Sequence, residues 1–481
     1  VADRLKNFIG GRWVEARAAE VHDVHNPATG ELLAQTPLCG AAEVDQAVRA
    51  AREAFQSWRR VPPVERARYL FKFKSLLEDS AEELSRLVTV ENGKTLPEAR
   101  GSVRRGIECV EVACGAPSLL MGQALEDVAD GIDSEAVRQP VGVFACIAPF
   151  NFPAMVPLWF YPFAVACGNT FVCKPSEQVP LSQMRMFELL EQCDFPAGVL
   201  NLVHGGKQAV QSIVEHPDIV GVSFVGSSPV ARYVYEEAAR RGKRVQALGG
   251  AKNFMVVMPD ADREATLDQV MSSAYGCAGE RCLAASVILP VGEANDWVRE
   301  GLKQRIAELK VGDGLETDTG MGPVISAPHK ERVLGYIEKG IEEGAELVTD
   351  GRQPQVDLGG YFVGPTLFDK VKPDMVIAQE EIFGPVLCLI PVDSLDEAID
   401  VSTSHPLANA TSIFTQSGKA ARQFKYNVHA SMTGVNIGVA APMAFFSFGG
   451  AKGSFFGDLK GHGRDAFDFY TDKKVVISRW F

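Results

Sequence analysis

The segment YGCAGERCLAAS, residues 275–286, sets two cysteines, Cys277 and Cys282, among small residues. Arg281 stands directly before the second. A cysteine beside a cation near a helix start is expected to have a depressed pKa and more thiolate, which is the form that attacks a carbonyl. Local composition does not choose between the two thiols, and a cysteine in small surroundings also packs well in a core. Asn151 in PFNFP reads equally as an amide donor to a developing oxyanion and as a helix cap before Pro153. No GxGxxG follows the first strand-like run, so a dinucleotide would not be held by the usual glycine-rich turn. The histidines form no HExxH and no Cys/His ligand set, and no metal is expected. His22 and His25 read as a solvated loop pair.

These groups need scaffolding. Residues 40–117 repeat apolar side chains at helical spacing. From about 141 the runs VGVFACIAP, NTFVCKP, VLNLVHGG and IVGVSFVGS each end in Gly, Pro or Ser, and segments of helical period lie between them. Strand and helix in alternation predict a parallel, doubly wound sheet, with ligands bound beyond the carboxyl ends of its strands, where PFN, KPSE and VGSS fall. A second alternating block, with strands at FMVVM, ASVILP, VLCLIPV and TSIFT, predicts a second α/β domain. Residues 121–140 and the terminal DFYTDKKVVISRW read as strands outside both sheets, available to a neighbouring subunit.

Ordered along the chain are NPATGE, ENGK, PFNFP, KPSE, FVGSS, GERC, EEIFGPV and FGGAKGS. Together they resemble the aldehyde dehydrogenase superfamily over nearly the whole length. The resemblance implies two doubly wound α/β domains plus a small β oligomerisation extension. Residues 1–117 with 141–248 would bind NAD, 249–445 would carry the catalytic cysteine, and 118–140 with 446–481 would bridge subunits. It implies Cys282 as nucleophile and Asn151, with the Cys282 backbone N–H, as oxyanion donors. Lys174, Glu177 and Ser176 would hold the adenosine ribose, although such a Lys/Glu pair elsewhere is usually a solvated turn. Gly226 and Ser227 would face the pyrophosphate at a helix start. Glu381 and Phe383 would position the nicotinamide end, with Ala148 and Phe150 lining the same site. A carboxylate at the ribose favours NAD over NADP.

One departure narrows the expectation. Hydrolytic members carry a glutamate in a Glu-Leu-Gly-Gly-Lys motif 34 residues before the nucleophile, where it activates water. This chain reads QALGGAKN; counting back gives Leu248 and matching Leu-Gly-Gly gives Ala247, neither of them acidic. A thioester without activated water awaits another nucleophile, and coenzyme A is the natural candidate. GERC, GAKN, RGIE and the tail SFFGDLKGHGRDAFDFYTDKKVV resemble the CoA-acylating (methyl)malonate-semialdehyde branch. That branch implies Arg105 and Arg281 as the clamp on a substrate carboxylate, and decarboxylation to acetyl-CoA or propionyl-CoA. A hydrolytic enzyme using Glu380 or Glu381, and a non-catalytic relative, are the competing readings.

The bulk properties set the outer bounds. A chain of 481 residues with 46% hydrophobic content has material for more than one core. The formal charge of −13 argues against nucleic acid as a partner. No apolar run approaches a membrane span, and the opening lacks a signal-peptide pattern. The default location is cytoplasmic, or the mitochondrial matrix if a leader has been removed. The ten scattered cysteines predict free thiols, with Cys109, Cys114, Cys146, Cys167 and Cys173 in apolar surroundings. A homotetramer or homodimer is expected.

Overall fold

The computed structural model describes residues 3–481. Val1 and Ala2, which open the expected cofactor-binding unit, lie outside the described residues. The helical stretch resolves into Ala41–Trp58, Pro63–Asp79, Ala81–Asn92, Leu96–Cys114 and the short Ala116–Leu119. The fourth opens with a capping box, in which Glu98 accepts the Thr95 N–H at 3.0 Å.

The first sheet has eight strands, in the order Arg12–Val14, Asn7–Ile9, Leu200–Leu202, Thr170–Lys174, Val143–Ile147, Ile219–Val225, Arg244–Leu248 and Phe455–Gly457. The five central strands run parallel, while the outer ones pair antiparallel. Both faces are covered, which is why Val143–Ile147 is buried at every residue. Val143, Ala145 and Ile147 pack into one core with the helix Ala41–Trp58, and Phe144 and Cys146 into the other with Pro63–Asp79 and Leu96–Cys114. From Val143–Ile147 the chain winds outward through Thr170–Lys174 and Leu200–Leu202, then returns to the opposite side with Ile219–Val225. The switch in direction leaves a crevice at the carboxyl ends of those strands.

The second sheet orders Glu346–Thr349, Thr366–Asp369, Val386–Leu389, Ala285–Pro290, Asn253–Val257, Ala410–Phe414 and Met432–Val435, all parallel except the first. It surrounds itself with a separate apolar core. A third, three-stranded antiparallel sheet joins Gln123–Ala129, Ile132–Pro140 and Thr471–Arg479, the latter two in register from Thr471↔Pro140 to Arg479↔Ile132. Two doubly wound sheets and a small β extension are the architecture expected from the alternation of runs. His22 and His25 depart from expectation: they sit in the strand Val21–His25, hairpinned to Leu32–Pro37, not in a loop. That hairpin escapes a periodicity reading because it is short and largely polar. Among the described residues no helix is long and apolar enough to cross a membrane.

Candidate active site

Cys282 lies between the helix Arg263–Tyr275 and the strand Ala285–Pro290. The chain arrives through a tight turn, Gly276–Gly279, in which Cys277 and Ala278 both have φ 51°. Such left-handed backbone is strained for residues with a side chain and persists only where the surroundings impose it. Here the EEIFGPV loop imposes it, since a Cβ at Gly279 would come within 2.1 Å of the Gly384 carbonyl. Beyond the turn the Cys282 carbonyl accepts two side-chain hydrogen bonds, from Asn253 Nδ2 at 3.0 Å and Asn409 Nδ2 at 2.7 Å. Asn253 is the last residue of GAKN. Cys282 is thereby fixed at the amino edge of the second sheet, facing the carboxyl edge of the first. Nine of the ten cysteines are buried and Cys282 is the one partly accessible.

Asn151 follows the strand Val143–Ile147 and caps no helix. Its Nδ2 donates to the Glu280 carbonyl at 2.9 Å, leaving its other amide hydrogen for the groove it shares with Cys282. The ENGK motif builds this placement. Asn92 Nδ2 donates to the Phe150 carbonyl at 3.0 Å, and Lys94 Nζ donates to the Asn151 carbonyl while lying 3.9 Å from the centroid of the Phe152 ring. Glu91 accepts the backbone N–H groups of Leu181 and Ser182 at 2.6 and 3.0 Å. Burial pushes the Glu91 carboxyl up to about 7 and the Lys94 ammonium down.

A groove of about 870 Å³ runs along the carboxyl ends of the first sheet, and Cys282 lies in its wall. It is lined by Ala148, Phe150, Lys174, Ser176, Glu177, Gly226, Ser227, Glu381 and Phe383, so every residue assigned to cofactor binding from the resemblance converges there. Lys174 is 2% exposed, which rules out a solvated turn. Its Nζ donates to Glu177 Oε2 at 3.0 Å and to the Gly205 carbonyl at 2.6 Å. Burial alone would raise the Glu177 carboxyl, but Lys174 and a backbone N–H outweigh it and hold the group below the usual range. Ser227 is the N-cap of the helix Ser228–Arg240 and makes no side-chain capping bond, so the first N–H groups of that helix keep their capacity. Glu381 Oε1 accepts the Ala251 N–H at 2.8 Å, and Phe383 meets Phe150 edge to face at 5.8 Å.

On the other side of the sulfur is a smaller cavity of about 260 Å³ holding Arg105, Arg281, Cys277 and Cys282. Arg105 donates to Glu108 Oε2 at 3.1 Å and to the Pro442 carbonyl. Arg281 donates to Glu98 Oε1 at 3.2 Å, to the Ser272 carbonyl at 3.0 Å and to Cys277 Sγ at 3.3 Å. The expectation of a depressed Cys282 pKa is overturned here. Burial pushes the Cys282 thiol up to about 12, the Glu381 carboxylate pushes it further the same way, and Arg281 lowers it by less. The guanidinium next in sequence turns toward Cys277 and is already neutralised by Glu98. No helix begins at Cys282 either, because the preceding turn ends at Gly279.

Several cavity residues have no signature in the sequence. Phe152, Phe448 and His462 sit inside quoted motifs, but Trp159 and Val439 come from segments outside them. The structure also resolves the ambiguity over the missing carboxylate. Along Arg244–Leu248 the side chain of Ala247 joins the core under the helix Ser228–Arg240, while Leu248 joins the core against which Cys282 packs. Leu248 is therefore the residue on the thiol's side, and it is apolar. Glu380, one conceivable substitute, is committed elsewhere: Tyr336 donates to its Oε2 at 2.5 Å at the surface. Glu381 is partly buried, and its removal from solvent raises its carboxyl.

A cysteine with an amide donor beside it, set where a nucleotide-sized groove meets a second, smaller cavity, is an arrangement suited to nucleophilic attack on a carbonyl. The chain belongs to the aldehyde dehydrogenase family, whose profile matches residues 13–476. It is 54% identical over 477 residues to malonate-semialdehyde dehydrogenase 2 of Geobacillus kaustophilus (strain HTA426), covering 99% of both chains. It is 52% identical over 478 residues to malonate-semialdehyde dehydrogenase of Halalkalibacterium halodurans, again over 99% of both. Among solved structures, methylmalonate-semialdehyde dehydrogenase (DddC) from Oceanimonas doudoroffii superposes with a TM-score of 0.98 at 47% identity, covering 99% of this chain and 98% of that one. A structure from Sinorhizobium meliloti 1021, solved in complex with NAD, superposes at 0.98 with 43% identity, covering 100% and 98%.

Proposed function

We propose that this enzyme oxidises malonate semialdehyde or methylmalonate semialdehyde with NAD, and passes the acyl group to coenzyme A with loss of carbon dioxide. The observation that carries the reading is the junction at Cys282. One side of the sulfur opens on the groove lined by Lys174, Glu177, Ser227 and Glu381, and the other on a cavity with Arg105 and Arg281. Leu248 stands where a water-activating carboxylate would be needed. The relatives named for semialdehydes, and the NAD complex of one of them, support the same reading.

The groove's chemistry fits a dinucleotide. Glu177 offers acceptors to ribose hydroxyls, the start of Ser228–Arg240 offers N–H groups to phosphate, and Glu381 and Phe383 stand nearest the thiol end. When bound, NAD supplies the hydride acceptor and a positive ring near the sulfur. In this reading the Cys282 thiol loses its proton to solvent and attacks the aldehyde carbon, and Asn151 Nδ2 with the Cys282 N–H holds the oxyanion. Hydride loss leaves a thioester on Sγ. The carboxylate β to the thioester carbonyl leaves as CO₂ through an enolate that takes up a proton from solvent, and the thiol of coenzyme A, giving up its own proton, displaces Sγ to form the acyl-CoA and return Cys282. Arg105 and Arg281 orient that carboxylate beforehand.

The domain assignments follow from this reading. The first sheet binds NAD, the unit of 249–445 carries the thiol, and 118–140 with 446–481 bridge subunits in a homodimer or homotetramer. We place the enzyme in the cytoplasm, or in a mitochondrial matrix if a leader precedes the chain. A hydrolytic reading rests on one specific feature, the Glu381 carboxylate that bears on Cys282. NADH formation from malonate semialdehyde with and without coenzyme A separates them. The proposal expects turnover to depend on coenzyme A and to yield a thioester; equal rates to a free acid without it would overturn the proposal.

A further inference from the structure

Among the groups that line the cavity beside Cys282, two buried polar side chains, Ser102 and His462, have no role in the scheme above, and Ser102 is satisfied by the Ala99 carbonyl. His462 is 3% exposed, and its Nδ1 makes no hydrogen bond. Its ring lies edge-on to Trp159 at 5.4 Å and tilted against Phe448 at 5.7 Å. The placement is built, not incidental. His462 has φ 34° and ψ −169°, a conformation a side-chain-bearing residue adopts only under constraint. Its neighbour Gly463 has φ 61° and donates its N–H to the Ala444 carbonyl at 3.0 Å, and a Cβ there would lie 2.7 Å from the Phe446 carbonyl carbon. The turn is therefore pressed against the 444–446 segment, and the imidazole is turned into the cavity.

An apolar side chain would fill this corner between Trp159 and Phe448 without forfeiting a hydrogen bond. A buried ring nitrogen left without a partner is costly, and such groups are kept where a ligand completes them. Arg105 lines the same cavity and bears electrostatically on the ring. We propose that His462 is a specificity-determining residue whose ring N–H donates to the carboxylate of the semialdehyde, beside Arg105. The assignment rests on the substrate class proposed above. Burial holds the ring's pKa down at about 4 against the opposing effect of the Phe446 and Ala444 carbonyls, so at neutral pH the ring is uncharged and carries one N–H. An uncharged donor suits this step. It orients the carboxylate without adding a third cation that would hold back its departure as CO₂.

The test compares malonate semialdehyde with propanal, which has the same chain length and no carboxylate. In H462A the ratio of kcat/KM for the two substrates should fall about tenfold, the loss of one hydrogen bond to a charged group. The fall should appear mainly in KM for the semialdehyde, and H462N, which restores an N–H donor, should recover part of it. A ratio unchanged from wild type, whether both substrates lose equally or neither does, would overturn the role. Should H462A fail to fold, H462N and H462F carry the same comparison, with H462F expected to lose the ratio and H462N to keep part of it. If the wild-type enzyme itself does not prefer the semialdehyde, the substrate class falls and the role of His462 falls with it. Loss of preference in R105M alongside an unchanged ratio in the His462 variants would sink only the role of His462.

Discussion

Replacing Asn151 by alanine separates catalysis from architecture at this site. The side chain makes one bond inside the protein, from Nδ2 to the Glu280 carbonyl at 2.9 Å. The bonds that hold its loop come from Asn92 and Lys94 and land on backbone carbonyls, which the substitution leaves intact. The stability loss should then be that of one neutral hydrogen bond, about 1 kcal/mol, visible as a Tm shift of a few degrees at most. The catalytic loss should be far larger. Removing one preorganised oxyanion donor costs about 3–4 kcal/mol in the transition state, or roughly 10²–10³ in rate. The assay is the pre-steady-state burst of NADH, which reports thioester formation and not its release. A burst rate within threefold of wild type would refute the oxyanion role, and so would a loss that only tracks unfolding. Asn151→Asp, of the same shape, should not rescue, since it sets a carboxylate against the Glu280 carbonyl and the oxyanion.

Other expectations follow from the same geometry. With its thiol pushed up to about 12 in the free protein, Cys282 is protonated at neutral pH. Its alkylation by iodoacetamide should rise steadily between pH 7 and 10, whereas a plateau near pH 7 would contradict the burial seen here; E381Q, which removes the carboxylate, should speed alkylation at pH 8. The two arginines should differ in kind. R281M leaves Glu98 only the Thr95 and Cys277 N–H groups and should destabilise by about 1–3 kcal/mol in denaturant titrations, while R105M, whose pair with Glu108 is more open, should cost less than about 1 kcal/mol yet raise KM for the semialdehyde. Equal stability losses would show that Arg281 and Glu98 are not the paired unit described. L248E places a carboxylate on the thiol's side of its strand, so it should shift acyl release toward free acid; an unaltered partition between acid and CoA ester would count against the missing-base explanation.

Much of this molecule is legible in its sequence because local chemistry and periodicity dictate it. The alternation of β-branched runs with helical segments from Val143 to Ser417 specifies parallel sheets, since only crossover helices can bury both faces of such strands. The short motifs hold their meaning for a similar reason: PFNFP and ENGK are adjacent in the fold because Lys94 and Asn92 cap the very carbonyls that PFNFP exposes. Edge strands such as Glu346–Thr349 and Phe455–Gly457 are not legible, as each is defined by what it pairs with and not by its own pattern. The chemical identities that form the site, a thiol, an amide, two guanidiniums and no acid at position 248, are properties of the sequence alone. Where their charges act is not. Arg281 is the covalent neighbour of Cys282, yet a tight turn aims it at Cys277 and Glu98, while Glu381, about a hundred positions away, sets the field at the sulfur. Electrostatic influence follows distance and burial, and both are decided only once the amino edge of the second sheet has come up against the carboxyl edge of the first.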